Sequence, residues 1–237
     1  MSITFSQLLA KHQPFFGRIV PFSEASERLV ALDLSTQNGS LTPEVYTSVD
    51  RFSAFIDQQL QQANAKYGIG GYMEQRKVYS QSAIFMERQD HGHAVAERTL
   101  HVGVDVWGPA GTPVRAPWGG SVHSLGFNQQ PGDYGATIIL QHQLDGYTFY
   151  TLYGHLSLSD LKIGENHYVS IGETFAHFGS PKENGGWPPH LHFQIIQDME
   201  GKMGDYPGVV ELAKADYYAQ NCPNPDLLLH LNRFLPV

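Results

Sequence analysis

From Met73 onward, apolar residues recur at every second position in short runs separated by turn-forming residues. A strand sends successive side chains to opposite faces, so this period commits that part of the chain to sheets with one face in a core. The runs are Arg76–Tyr79, Val102–Val106, Ser121–Leu125, Thr137–Gln141, Tyr147–Leu152 and His190–Ile196. Between them stand the turn signals Pro109-Ala110-Gly111, Trp118-Gly119-Gly120, Pro131-Gly132, Asp145-Gly146 and Asn184-Gly185-Gly186. Short strands at this spacing predict a mainly β fold, a sheet or barrel.

Residues 1–72 have a different texture. Arg18–Phe22 and Leu29–Leu34 suit short strands. Thr42 is placed as an N-cap, with Pro43 at the first helical position and Glu44 in the first turn. Val45, Val49, Phe52, Ile56, Leu60 and Ala63 then follow at spacings of four, three, four, four and three. That pattern predicts one long amphipathic helix, ended near Tyr67 by the glycines of 68–71. The expected organisation is a mixed α/β segment over 1–72, packed on a β domain over 73–237.

The net charge of −8, with no basic run, argues against nucleic acid or an anionic membrane as partner. Ser6, Gln7, Lys11 and His12 interrupt any apolar run at the start, so no secretory signal is read there. Cys222 is the only cysteine and cannot form an intrachain disulfide. Together these predict a cytoplasmic protein.

The chemistry gathers in His101-Val102-Gly103-Val104-Asp105, Gly154-His155 and His190-Leu191-His192. Histidine and aspartate are the ligands a catalytic zinc takes when three protein groups leave a fourth position open. Five candidates occur, two more than the metal needs. His190 and His192 share a strand face, with Gln194 continuing the row. His101 and Asp105 would lie about 13 Å apart in a flat strand, too far to share one ion. The strand must therefore bend or end between them, and Gly103 is the residue best suited to allow it. His91-Gly92-His93 has the same spacing as the His190 pair but lacks apolar alternation, and is read as a loop. The remaining histidines are given ordinary surface or hydrogen-bonded roles.

Four segments carry a family likeness: His101–Asp105; Gly111–Pro117 leading to Gly119–Val122; Tyr150–Ser157; and Pro189–Phe193. In order and spacing this stretch resembles the lysostaphin/LytM-type zinc endopeptidases. The resemblance implies a barrel-like antiparallel β domain (a duplicated hybrid motif) with zinc in a groove. It implies zinc on His101, Asp105 and His192, and a catalytic pair of His155 and His190. His190 would accept a proton from water, and His155 would donate a hydrogen bond to the oxyanion. With histidine as base, activity should be lost at acid pH, from the ordinary imidazole range downward.

A narrower resemblance rests on Asp133-Tyr134-Gly135, Thr151–Ser157, Asn184–Gln194, Pro207-Gly208-Val209 and Cys222–Asp226. These words resemble a signal-less, intracellular-type branch in which the domain is fused to phosphotransferase-like and aminotransferase domains. That branch implies aminotransferase- or kinase-like pathway partners. Trp187 departs from the small-residue turn of the secreted enzymes, and would either wall the groove or pack structurally. Asn38 could lend an oxygen to the metal, as an inhibitory asparagine does in some relatives, or could simply hold its Asn-Gly turn.

The function implied is a zinc-dependent metallopeptidase hydrolysing an amide bond, peptidoglycan-endopeptidase-like, with a peptide or small amide as substrate. Two alternatives stand beside it: a catalytically silent binding or regulatory module, and a zinc amidohydrolase acting on a small cytoplasmic amide.

Overall fold

A computed structural model describes residues 3–87 and 96–236. Its centre is an eight-stranded sheet. In spatial order the strands are Leu29–Leu32, Tyr67–Gly70, Val104–Trp107, His190–Ile196, Tyr147–Leu156, Gly135–Leu144, Gly120–Asn128 and Tyr168–Val169. All neighbours are antiparallel except the first two, which run parallel. A smaller sheet joins Val209–Glu211, Ala96–His101 and Glu74–Gln75, with Met86–Glu87 also on Ala96–His101. The fold is mainly β, as the period of two requires.

One face of the large sheet buries Ile138, Leu140, Phe149, Tyr153, Leu191, Phe193 and Ile195 in the main core. Phe5, Leu8 and Leu9 of the helix Phe5–His12 close that core together with Leu228 and Leu229. The other face carries the polar row His190, His192 and Gln194. The alternation read along 190–196 is therefore the one that separates core from site.

Residues 1–72 do not stand apart from this sheet, because Leu29–Leu32 and Tyr67–Gly70 are its outermost strands on one side. Their helical connection packs Phe52, Ile56 and Leu60 against Trp107 and Trp187. The expected single helix is two. Pro43–Tyr46 stops at Thr47, and Val49–Gln62 restarts behind Ser48, whose hydroxyl accepts from the Arg51 N–H. Ser48 is thus the N-cap whose side chain bonds, whereas Thr42 precedes only the first turn and makes no side-chain cap bond. The unbroken apolar spacing hid this break.

Three other expectations are corrected. Arg18–Phe22 forms no strand. Arg76–Tyr79 is not a strand either: Val78–Gln81 is a 3₁₀ turn. The glycines from 68 do not end the helix. Gly68 and Gly70 lie inside a strand, and a Cβ on Gly68 would sit 2.3 Å from Leu32 Cδ1. Among the described residues no helix is long and apolar enough to cross a membrane. His91 and His93 lie outside the described residues.

Candidate metal centre

Asp105 and His192 are direct cross-strand partners in the Val104–Trp107 and His190–Ile196 pair, which places both side chains on one face. His101 arrives from the other sheet, where it pairs with Val209 and Glu74. The chain leaves one sheet at His101 and enters the other at Val104. That break replaces the impossible flat span between His101 and Asp105. Gly103 permits it through close approach: a Cβ there would sit 2.4 Å from His192 Cε1 and 2.6 Å from His192 Nε2.

The result is a triangle. His101 Nε2 lies 2.9 Å from His192 Nδ1, and Asp105 Oδ1 lies 3.1 Å from each of those nitrogens. The opposite ring atoms fix the protons. His101 Nδ1 is 2.9 Å from the Gly71 carbonyl, which can only accept, so that nitrogen carries the hydrogen. His192 Nε2 is 3.1 Å from Gln194 Oε1, and the amide of Gln194 is oriented by donating to the Pro207 carbonyl and Cys222 Sγ. Three lone-pair atoms therefore face one another with no proton between them. Such a set is repulsive unless a cation is shared. Zinc bonds of about 2.0–2.2 Å would hold neighbouring donors about 3.3 Å apart. The residues fit a divalent metal bound by His101, Asp105 and His192, the His-Asp-His group whose donor atoms all lie within 4.8 Å.

Asp105 spends its second oxygen on Arg76, whose Nη1 donates to Oδ2 at 2.5 Å. The Arg76 side chain is 3% exposed and also reaches Glu74 Oε2 at 2.6 Å and the Tyr79 hydroxyl at 3.2 Å. Burial works against ionising Asp105, but His101 and Arg76 outweigh it and hold the carboxyl well below its usual range. Burial likewise works against the Arg76 cation, and Tyr79, Asp105 and Glu74 raise it above its ordinary value. Burial, with Arg76 nearby, pushes His101 down to about 4. Asp105 and His101 are thus held in the deprotonated forms a metal needs.

His155 and His190 stand beside the triangle with ring centroids 4.1 Å apart. His155 occupies the end of Tyr147–Leu156, where the register shifts and its φ is +62°. A non-glycine residue in that region is uncommon and clusters at functional sites. His155 Nδ1 donates to the Asn184 carbonyl and His190 Nδ1 to the Pro188 carbonyl, both at 2.8 Å. Each neutral ring therefore offers Nε2 as a lone pair. Burial pushes His190 down to about 4, and burial with His190 as neighbour pushes His155 well below the ordinary value. Neutral His155 is an acceptor at Nε2, so the expected hydrogen bond to an oxyanion requires it to be protonated first.

The structure brings together all five residues singled out in the sequence, and adds others. In the sequence Arg76 and Tyr79 stand only within a strand-like run and Tyr134 only within the narrower resemblance, so nothing there marks them or Glu74 as site residues. The Tyr134 hydroxyl donates to the Tyr206 carbonyl and lies 3.4 Å from His192 Nε2. Trp187 is both wall and packing: it is 5% exposed, edge-on to His155 and His190, and tied through its backbone to the Asn184 amide. Asn38 holds its own turn, donating to the Asp33 carbonyl and accepting from the Ser40 N–H.

Comparison with known proteins finds similarity over part of the chain. Residues 99–204 match the model described as Peptidase family M23. The matched segment contains all five site residues, while Arg76 lies outside it. An "Uncharacterized metalloprotease" of Haemophilus influenzae is 34% identical over 147 residues, covering 57% of this chain and 28% of that protein. A "DD-carboxypeptidase/endopeptidase Mpg" of Neisseria meningitidis is 37% identical over 95 residues, covering 40% and 20%. The chain thus spans less than a third of the length of these curated relatives. Among solved structures, the catalytic domain of the antimicrobial peptidase lysostaphin from Staphylococcus simulans is 24% identical. It covers 51% of this chain and 80% of that chain, at a TM-score of 0.34.

Proposed function

We propose that this protein is a zinc-dependent metallopeptidase of the peptidoglycan-endopeptidase type, hydrolysing an amide bond. The observation that carries the reading is the pairing of a three-donor triangle with two further imidazoles whose Nε2 atoms are free of protons. A silent module would have no use for the second feature. Zinc held by His101, Asp105 and His192 would supply a Lewis acid that polarises a carbonyl and acidifies water.

The residues of the chain do the proton work. His190 Nε2 accepts the proton released by water, since its Nδ1 is committed to Pro188. The imidazolium so formed is the donor for the leaving amine. His155, as the imidazolium formed by taking a proton from solvent at Nε2 before the reaction, donates to the oxygen that gains negative charge as the carbonyl becomes tetrahedral. Trp107 lies flat on His190 and fixes its plane. Asn184 and Pro188 set the two tautomers, so both rings are oriented before substrate arrives.

A cytoplasmic location is proposed with this reading on the narrower sequence likeness to intracellular-type chains. Phosphotransferase- or aminotransferase-type pathway partners are proposed on the narrower sequence likeness alone. The test is hydrolysis of a panel of muropeptides and short peptide amides by zinc-loaded protein. Turnover lost with a chelator and restored by zinc is the expected result. No turnover of any amide by protein that binds one zinc would refute it.

A further inference from the structure

The cavity over the metal centre, about 370 Å³ in volume, is lined by His155, His190 and His192, and also by Tyr134, which takes no part in the proton transfers above. Tyr134 is buried, and its ring packs on two of those histidines, with centroids 5.5 Å from His155 and 5.1 Å from His192. The two imidazoles are themselves 6.4 Å apart. Two glycines make room for the tyrosine. Gly154 is the cross-strand partner of His192, and a Cβ there would meet Tyr134 Cδ1 at 2.5 Å. A Cβ on Gly208 would overlap the Tyr134 hydroxyl. That hydroxyl donates to the Tyr206 carbonyl at 3.2 Å, so the far end of the side chain is tethered as well.

The backbone of the same residue holds His155. The His155 N–H donates to the Tyr134 carbonyl at 2.8 Å, at the position whose φ is +62°. A side chain in that region persists only where its surroundings over-determine it. The segment around Tyr134 is in turn bonded to the loop that sets the His155 tautomer. Gly132 N–H donates to the Gly185 carbonyl at 2.8 Å, and Ala136 N–H to the Glu183 carbonyl at 3.3 Å. Between those two acceptors in sequence stands Asn184, whose carbonyl accepts from His155 Nδ1.

We propose that Tyr134 is a positioning residue: its ring, wedged over Gly154, fixes where His155 stands relative to the metal ligand His192, and so where the donor to the oxyanion meets the substrate. The hydroxyl only anchors the ring. This assignment rests on the amide-hydrolysing reading of the same site.

Two variants separate this role from general packing. Tyr134→Leu should keep one zinc per chain and a nearly unchanged KM, while kcat falls about a hundredfold, as expected when a reacting group is misplaced by about 1 Å. Tyr134→Phe retains the ring and should retain most of the wild-type kcat. Histidine-selective nitrogen NMR of the zinc-loaded full chain reads the same effect without turnover. The His155 signal should report one fixed tautomer, with hydrogen on Nδ1, in the wild type and in Tyr134→Phe, and tautomer exchange in Tyr134→Leu. Should Tyr134→Leu not fold, Gly154→Ala drives a methyl group into the same ring and should give the same pair of changes. Zinc lost from the variant that disturbs the ring, a His155 signal unaltered in it, or a Tyr134→Phe as damaged as Tyr134→Leu would overturn the assignment. A wild type that hydrolyses no amide, with the His155 signals changing as stated, would instead overturn hydrolysis and leave the placement standing.

Discussion

Trp107 lies face to face with His190, ring centroids 4.0 Å apart and planes 14° from parallel. The two residues are cross-strand partners, so the strand register itself creates the stack. Packing of the helix Val49–Gln62 on Trp107 therefore bears on the orientation of the proposed base. Trp107→Ala should leave metal affinity nearly unchanged while lowering kcat more than it raises KM. Metal titration and steady-state kinetics on one preparation would check this.

Gly103 should not tolerate a side chain. A Cβ would meet the His192 ring at 2.4 Å and the Phe193 carbonyl at 2.9 Å, and neither the ring nor the strand backbone can yield without spoiling the triangle. Gly103→Ala is expected to weaken zinc binding at least tenfold, measured by chelator competition.

Gln194 acts through His192. Its oxygen accepts the Nε2 hydrogen and so keeps Nδ1 as the donor atom. Gln194→Leu removes that acceptor and should cost about 10–100-fold in zinc affinity, with the fold retained by circular dichroism.

Arg76 neutralises Asp105 inside the protein. Arg76→Met leaves a buried carboxylate uncompensated and should destabilise the metal-free chain by about 3–5 kcal/mol. Added zinc should restore part of that loss, because the cation then faces the same carboxylate. Urea denaturation with chelator and with zinc would show both effects.

The pH dependence can be assigned at His142, far from the metal centre. Its Nε2 lies 2.7 Å from the Thr151 hydroxyl, and burial holds the imidazole down to about 4. Unfolded, the same group titrates near 6.5. Between these values the unfolded chain binds more protons, so stability falls as the pH drops from about 6.5 towards 4. At about 1.4 kcal/mol per pH unit this gap is worth about 3 kcal/mol, and His142→Gln should abolish about that much of the stability loss between the two values. The same burial lowers His190 to about 4. The acid loss of activity expected from an ordinary histidine therefore moves down to that region.

The site was legible where chemistry follows local pattern. His190 and His192 could be assigned to one face because a strand alternates, and the need for a break between His101 and Asp105 followed from strand length alone. What stayed hidden depends on contacts distant in sequence. Arg76 meets Asp105 across 29 positions, and nothing in its own neighbourhood distinguishes it from a surface arginine. The helix break at Thr47 was masked because Val45 and Val49 continue the apolar spacing on both sides of it. The tautomers of His155 and His190 depend on the carbonyls of Asn184 and Pro188, which only the folded loop brings within reach.

The proposed chemistry requires that three particular side chains hold the metal and two others do not. Zinc content per chain should be measured for the wild type and for alanine variants at His101, Asp105, His192, His155 and His190. The prediction is one zinc in the wild type, none in the first three variants, and one in the last two, which should be inactive. A wild type that binds no zinc, or His155 and His190 variants that lose it as completely as the others, would contradict the central claim.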